Sequence, residues 1–177
     1  MRLFVAIGLP TPIAEALAQS ARSLIQPSSD KKIRWTPPAN MHVTLSFLGQ
    51  VHEARLDIIL QALATIRARR LQLRLSGFST FERAGVLYAD VKPSRALVAV
   101  AGQVAAAMEA VGFPREDRPY APHITLARTR DRLRLRSDAE AGPDFHAAFD
   151  ATEFRLYQSF TLPEGPHYEV LRSFPLD

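Results

Sequence analysis

Two of the five histidines share a four-residue pattern, His42-Val43-Thr44-Leu45 and His123-Ile124-Thr125-Leu126. In an extended chain, side chains alternate between faces, so each copy sets a histidine and a threonine on one face and two apolar residues on the other. An imidazole titrates near ~6.5, so at neutral pH one copy can be charged while the other is not. Two such rings around one substrate supply a general acid and a general base from a single residue type. Displacement at phosphorus uses this arrangement, because the nucleophile enters on one side and the leaving oxygen departs on the other. The threonine hydroxyls would then hold the non-bridging oxygens. A lone histidine in a strand is more often structural than catalytic. The repetition, with a β-branched second residue both times, is what favours chemistry.

Strands must carry both patterns, and the surrounding sequence supplies them. Residues 2–8 read as a buried strand. Thr11 as cap and Pro12 in the first turn open a helix with an apolar stripe of Ile13, Leu17, Ala21, Leu24 and Ile25, which Pro27, Ser28 and Ser29 end. The segment 33–40, with Trp35, Pro37 and Pro38, is a strand and a stiff turn leading into the first pattern, which Gly49 stops. A helix is expected from Glu53 to Arg69, then a half-buried strand in which Leu71, Leu73 and Leu75 alternate with polar residues. A turn at Ala84 and Gly85 precedes a strand over 86–91. Ser94 caps a third helix that Gly112 ends.

Arg118-Pro119-Tyr120-Ala121-Pro122 is a second proline-stiffened approach, leading into the second pattern. Residues 137–144 read as a mobile loop. Phe154, Leu156 and Phe160 share one strand face, with Arg155, Tyr157 and Ser159 on the other, and a turn at 164–166 leads to a last strand over 168–174. The patterns lie a little under half the chain apart, and helices separate most strands. The expected architecture is α+β: a bilobal, pseudo-duplicated fold with two antiparallel sheets flanking a central cleft and helices outside, in one domain over 1–177.

Composition narrows the function classes. The chain has 177 residues, 47% apolar and 23% charged, as in ordinary globular proteins. With no cysteine it has no disulfides, thiolate nucleophiles or thiolate metal ligands. The apolar N-terminal run is interrupted by Gly8 and Pro10, and no stretch approaches a membrane span, so a cytoplasmic protein is expected. A net charge of +4 leans toward polyanions. Arg128, Arg130, Arg132, Arg134 and Arg136 recur at every second position after the second pattern. If extended they form a basic edge suited to a nucleic acid backbone, the alternative being a solvated face.

These residues together resemble the two-histidine (2H) phosphoesterases, and among them the RNA 2′,3′-cyclic phosphodiesterases, first named 2′-5′ RNA ligases. The likeness runs through Arg-Leu-Phe-Val-Ala-Ile at the start, His-Val-Thr-Leu-Ser-Phe-Leu-Gly, Arg-Pro-Tyr-Ala-Pro-His-Ile-Thr-Leu-Ala-Arg, Phe-Arg-Leu-Tyr-Gln-Ser and the closing Tyr-Glu-Val-Leu-Arg-Ser-Phe-Pro-Leu. The resemblance implies a metal-independent hydrolase without cofactor that opens a 2′,3′-cyclic phosphate end of RNA to a 2′-phosphate. It also implies reversible, ATP-independent 2′-5′ joining. By analogy His42 is the proton donor to the departing 3′ oxygen and His123 the proton acceptor from water, although the near-symmetric pattern does not itself separate acid from base. Thr44 and Thr125 would donate hydrogen bonds to the phosphate.

Arg128 matches the arginine that follows the second motif and is a candidate phosphate or ribose contact, with Arg130 beside it. Strict alternation puts Arg128 opposite His123, so a strand end or bulge is needed. Phe47, a candidate to stack on the terminal base, has the same wrong parity. Tyr120 is the other aromatic candidate, with core placement as its alternative. His52, His146 and His167 match nothing and are read as surface residues. The implied partners are RNA with cyclic phosphate ends, tRNA halves among them, and nucleotides, bound by a monomer away from membranes. Two alternatives stand beside this reading: a 2H enzyme acting on small cyclic nucleotides, and a non-catalytic module that binds RNA ends or nucleotides.

Overall fold

The structure, a computed structural model, describes residues 1–25, 33–130, 133 and 145–177. The chain forms β1 (Arg2–Gly8), α1 (Thr11–Ser23), β2 (Arg34–Trp35), β3 (His42–Gln50), α2 (Leu56–Ala64), β4 (Leu71–Phe81), β5 (Val86–Val91), α3 (Arg95–Ala110), β6 (His123–Arg128), β7 (His146–Ala151), β8 (Glu153–Leu162) and β9 (Gly165–Pro175). They build two antiparallel sheets, one of four strands in the order β3-β1-β8-β9 and one of five in the order β2-β6-β5-β4-β7. The α+β, two-sheet architecture is therefore present, with one motif strand in each sheet. The lobes are not successive halves of the chain, because β8 and β9 return to pair beside β1.

Alternation sorts each sheet into a core face and a front face. Leu3, Val5, Ile7, Val43, Phe154 and Leu156 of the four-stranded sheet join Leu73, Leu87, Ala89 and Ile124 of the five-stranded sheet in one buried cluster. Each leucine sealed there contributes about 1.5–3 kcal/mol relative to an exposed one. The other face of β1 carries Phe4 and Ala6, which form a separate cluster with Tyr157 against Tyr168. The helices lie outside: α1 packs against β6, α3 against β3 and β4, and α2 against α3 and β9. No described helix is long and apolar enough to cross a membrane.

Local chemistry shifts several expected boundaries. The helix expected over 53–69 is a 3₁₀ turn, Glu53–Arg55, followed by α2 alone. The chain closes α2 with i→i−3 bonds, Thr65 N to the Ala62 carbonyl and Ile66 N to the Leu63 carbonyl at 3.2 Å each, and Thr65 Oγ1 and Arg67 add side-chain donors to the Ala62 and Ala64 carbonyls at 2.7 Å. Thr11 is already helical and Pro10 takes the cap position without a side-chain bond. The strand and stiff turn expected over 33–40 are β2 and the 3₁₀ turn Pro38–Asn40. β4 runs on to Phe81 through an irregularity at Gly77, whose φ of 91° suits glycine. Ser94 caps α3 as expected, its hydroxyl accepting from Leu97 N at 3.1 Å. The expected loop over 137–144, the helix stop at 27–29, and Arg132, Arg134 and Arg136 lie outside the described residues.

Candidate active site

The two approaches fix the two histidines in the same way. Asn40 ends the short turn that the prolines stiffen, and its side chain donates to the Pro166 carbonyl at 2.8 Å, fastening it to the start of β9. Its own carbonyl lies 2.7 Å from His42 Nδ1. On the other strand the Ala121 carbonyl lies 2.8 Å from His123 Nδ1. A carbonyl can only accept, so Nδ1 carries the hydrogen in both rings and Nε2 is left to take or give a proton. Each motif therefore presents the same tautomer, anchored two residues upstream.

Both strands then bulge at the same motif position. Ala6 faces Thr44 and Val5 faces Ser46, which leaves Leu45 as the extra residue. Tyr88 faces Thr125 and Leu87 faces Ala127, which leaves Leu126. Both leucines are buried in the shared core. Each bulge reverses the parity of the residues downstream of it. Phe47 therefore sits opposite Phe4, and Arg128 opposite Val86, on the same faces as His42 and His123 respectively. The bulge that Arg128 required is present, and the expected wrong parity of Phe47 is overturned for the same reason.

The surroundings of the two rings differ. His42 lies against Phe4 with ring centroids 4.8 Å apart and meets Tyr168 edge-on at 5.4 Å. Phe4 in turn stacks on Tyr157 at 5.0 Å. A Cβ on Gly8 would stand 3.1 Å from Tyr157 Oη, so glycine there admits the phenol beside the motif. Loss of water in this aromatic wall lowers the His42 pKa to about 4, against the Asn40 carbonyl, which favours the charged ring; the His123 and Arg128 charges lower it further. Burial raises the Tyr157 and Tyr168 phenols, the latter opposed by the charges of Arg128 and Arg2. Arg128 is on the five-stranded sheet, yet it acts on His42 and Tyr168 of the other. Charges on one motif strand thus reach the histidine of the other, and β3 and β6 bring Cα atoms within 8 Å of each other.

His123 stands in a more open setting, edge-on to Tyr88 at 5.4 Å. Asp90 is its cross-strand partner on β5 and accepts from Ser79 Oγ at 2.6 Å. Thr44 and Thr125 are half-buried on the front faces. Tyr120 is placed between the motifs: its hydroxyl donates to the Thr44 carbonyl at 3.0 Å and its ring packs on the shared core. Burial raises its pKa and keeps the phenol protonated. That is the placement of the core alternative for Tyr120, with its hydroxyl tying the approach to the second motif to the strand of the first. Arg130 is exposed on a bend just past β6. His52, His146 and His167 are exposed, and His52 accepts from Ala54 N to cap the turn before α2. Among the described residues no group of three or more His, Asp or Glu is placed to hold a metal ion.

Phe4, Tyr157, Tyr168 and Asn40 were not singled out by sequence reasoning. The available signals were the parity of β1 and β8, which puts Phe4 and Tyr157 opposite the apolar core face, and the turn that Asn40 closes before His42.

Comparison with known proteins bears on this geometry. The sequence profile of the family described as LigT-like phosphoesterase matches residues 7–88 and 90–168, one motif in each stretch. The chain belongs to the LigT-like phosphoesterase family. Relatives of this family span the whole chain. An Archaeoglobus fulgidus protein named RNA 2′,3′-cyclic phosphodiesterase is 30% identical, covering 98% of this chain and 99% of its own. An Escherichia coli protein of the same name is 28% identical over 99% of this chain and 96% of its own. Among solved structures, E. coli LigT complexed with 3′-AMP superimposes with a TM-score of 0.83 at 27% identity, covering 99% of this chain and 97% of that one. The crystal structure of a Thermus thermophilus protein does so at 0.80 and 29%, covering 99% and 98%. As a LigT-like phosphoesterase the chain is a phosphodiester hydrolase of the 2H superfamily.

Proposed function

We propose that this phosphoesterase opens 2′,3′-cyclic phosphate ends of RNA to 2′-phosphates. The observation that carries the reading is the pair of identically anchored imidazoles, one on each of two sheets whose motif strands approach one another, with Nε2 of each left to exchange a proton. Water attacks phosphorus and gives its proton to His123; the bond from phosphorus to the 3′ oxygen breaks, and His42 protonates that oxygen to leave a 3′-hydroxyl. Thr44 and Thr125 donate to the non-bridging oxygens, charge-assisted bonds of ~1.5–3 kcal/mol each. Arg128 offsets the phosphate charge, and Phe47 stacks on the terminal base. Burial leaves His42 neutral in the ligand-free protein at pH 7. Its donor role therefore has it take up a proton with the substrate, whose anionic phosphate favours the charged ring.

The same groups act in the same sense when a 5′-hydroxyl replaces water: His123 takes the hydroxyl proton, the bond from phosphorus to the 3′ oxygen breaks with His42 protonating that oxygen, and a 2′-5′ linkage forms without ATP. Relatives named RNA 2′,3′-cyclic phosphodiesterase and the E. coli LigT complexes with 3′-AMP, phosphate and ATP support an RNA or nucleotide ligand. Because those complexes hold small ligands, a small cyclic nucleotide is the second reading. The test compares turnover of an oligonucleotide with a 2′,3′-cyclic end and of 2′,3′-cyclic AMP across a salt series, with the product phosphate position determined and EDTA present or absent. RNA specificity predicts that only the oligonucleotide loses affinity as salt rises. Preference for cyclic AMP selects the second reading, and turnover of neither discards both.

A further inference from the structure

The chain contains ten phenylalanines, four tyrosines and one tryptophan, all among the described residues. Only two of these rings are exposed, Phe47 at 55% and Phe81 at 45%. Neither position is arbitrary. Phe47 touches Phe4, which touches His42, with centroids 6.0 and 4.8 Å apart. Phe81, on the other sheet, stacks on Tyr88 at 4.3 Å and 26° and stands edge-on to His123 at 5.8 Å and 87°. One water-facing phenyl thus flanks each motif histidine. An exposed phenyl forgoes burial that would stabilise the fold, so a pair of them at one site needs a ligand to explain it.

Register defines what shares the face with Phe81. Its cross-strand partner is Val86, Tyr88 is opposite both Ser79 and Thr125, and Arg128 is opposite Val86 on the far side. Arg34 of β2 is in turn directly opposite Arg128. Like charges directly opposite one another are unfavourable in a sheet, and an anion between them reverses the sign. A flat aromatic surface and two guanidinium groups on one face match the two repeating parts of a single nucleic acid strand, bases and phosphates.

We infer that Phe81, backed by Tyr88, is a second nucleobase platform. The site then takes a ligand with two bases, one on Phe47 and one on Phe81, and the reacting phosphate between the histidines. This deepens the phosphodiesterase reading and rests on it. Two sources offer that second base with the same stacking chemistry: the nucleotide preceding the cyclic end in the same strand, or a nucleoside approaching with its 5′-hydroxyl.

The experiment compares wild type with Phe81→Ala, Phe81→Leu and Phe81→Trp on three substrates: 2′,3′-cyclic AMP, a diadenylate with a 2′,3′-cyclic end, and 2′-5′-linked diadenosine monophosphate. Phe81→Ala is expected to lower kcat/KM on a two-base substrate by about 5- to 100-fold more than on cyclic AMP, the range for one base–aromatic stack. Phe81→Leu, apolar but without a π face, should follow alanine, and Phe81→Trp should stay near wild type. Whichever two-base substrate carries the loss names the source of the second base. Equal losses on one- and two-base substrates would mean that the ring only props His123, and no loss on any would mean that it is idle. Either result overturns the inference.

A binding arm separates this from failure of the phosphodiesterase reading. Wild type should bind a two-base ligand, either a diadenylate ending in a 2′-phosphate or 2′-5′-linked diadenosine monophosphate according to the source of the second base, at least about fivefold more tightly than 2′-AMP, and Phe81→Ala should erase the difference. Equal affinities of wild type for 2′-AMP and both two-base ligands overturn the platform whatever turnover shows.

Discussion

The phenol of Tyr120 donates a hydrogen bond to the main-chain carbonyl of Thr44, 3.0 Å away, so the approach to the second histidine is tied to the strand that carries the first. The bond spans the two sheets, since Thr44 belongs to the four-stranded sheet and Tyr120 leads into β6.

Tyr120→Phe should therefore disturb both motifs together. Leaving a half-buried carbonyl without its donor costs about 1–3 kcal/mol, to be read as a lower urea midpoint. The kcat should fall by more than KM rises, because ring placement and not ground-state binding is lost. A variant with wild-type kcat would remove Tyr120 from any positioning role.

His42→Ala and His123→Ala should each reduce hydrolysis of a cyclic phosphate at least ~100-fold while leaving a cooperative unfolding transition. Near-normal turnover in either would show that the proton is moved by another group. A bell-shaped pH profile is expected for the wild type.

Stability should also depend on pH through His42. Its folded pKa, about 4, is below the ~6.5 of an unfolded histidine, so the unfolded chain binds more protons between these values. The contribution is fully present above ~6.5 and is lost as pH falls toward 4, up to ~3 kcal/mol for a shift of this size and less where water reaches the half-buried ring. His42→Gln should flatten that part of the stability curve. The same acid slope in both proteins would contradict the assigned pKa.

Arg128 can be tested through the same ring. Its charge lowers the His42 pKa, so Arg128→Ala should raise it, as an NMR titration would record. The variant should also weaken oligonucleotide binding and reduce the salt slope by about 0.7 for one lost phosphate contact on a single strand. An unchanged His42 titration would place the guanidinium elsewhere.

Substrate binding should protonate His42 if it is the donor. Imidazole nitrogen shifts in the ligand-free protein at pH 7 should report a neutral ring with hydrogen on Nδ1, and saturation with inorganic phosphate should move them to the charged form. A ring that stays neutral in the complex would transfer the donor role to His123.

The motif strands and their flanking helices were readable because their signals are local: period-2 patterns, a Ser94 cap, a Gly112 stop, and prolines before each histidine. Phe47 and Arg128 were not placed correctly by alternation, because a bulge at Leu45 or Leu126 leaves no mark in a sequence where every residue fits a strand. The pairing of β1 with β8 joins residues far apart in the chain, which no window sees. Tyr120 was ambiguous for a related reason: an aromatic residue beside a motif reads alike whether its hydroxyl faces a ligand or a distant carbonyl. The early stop of α2 is a tightened i→i−3 turn supplemented by Thr65 and Arg67 side-chain donors, a local choice that helix propensity alone does not rank.

The carbonyl anchors of His42 and His123 have an evolutionary consequence. Backbone oxygens neither titrate nor change with the codon, so residue 121 can change in identity without the His123 imidazole losing its tautomer, whereas residue 40 also needs the side-chain amide that fastens its turn to Pro166. The constraint then falls on the turns that aim those oxygens, and a proline lost before either motif should lower turnover although it touches no part of the substrate.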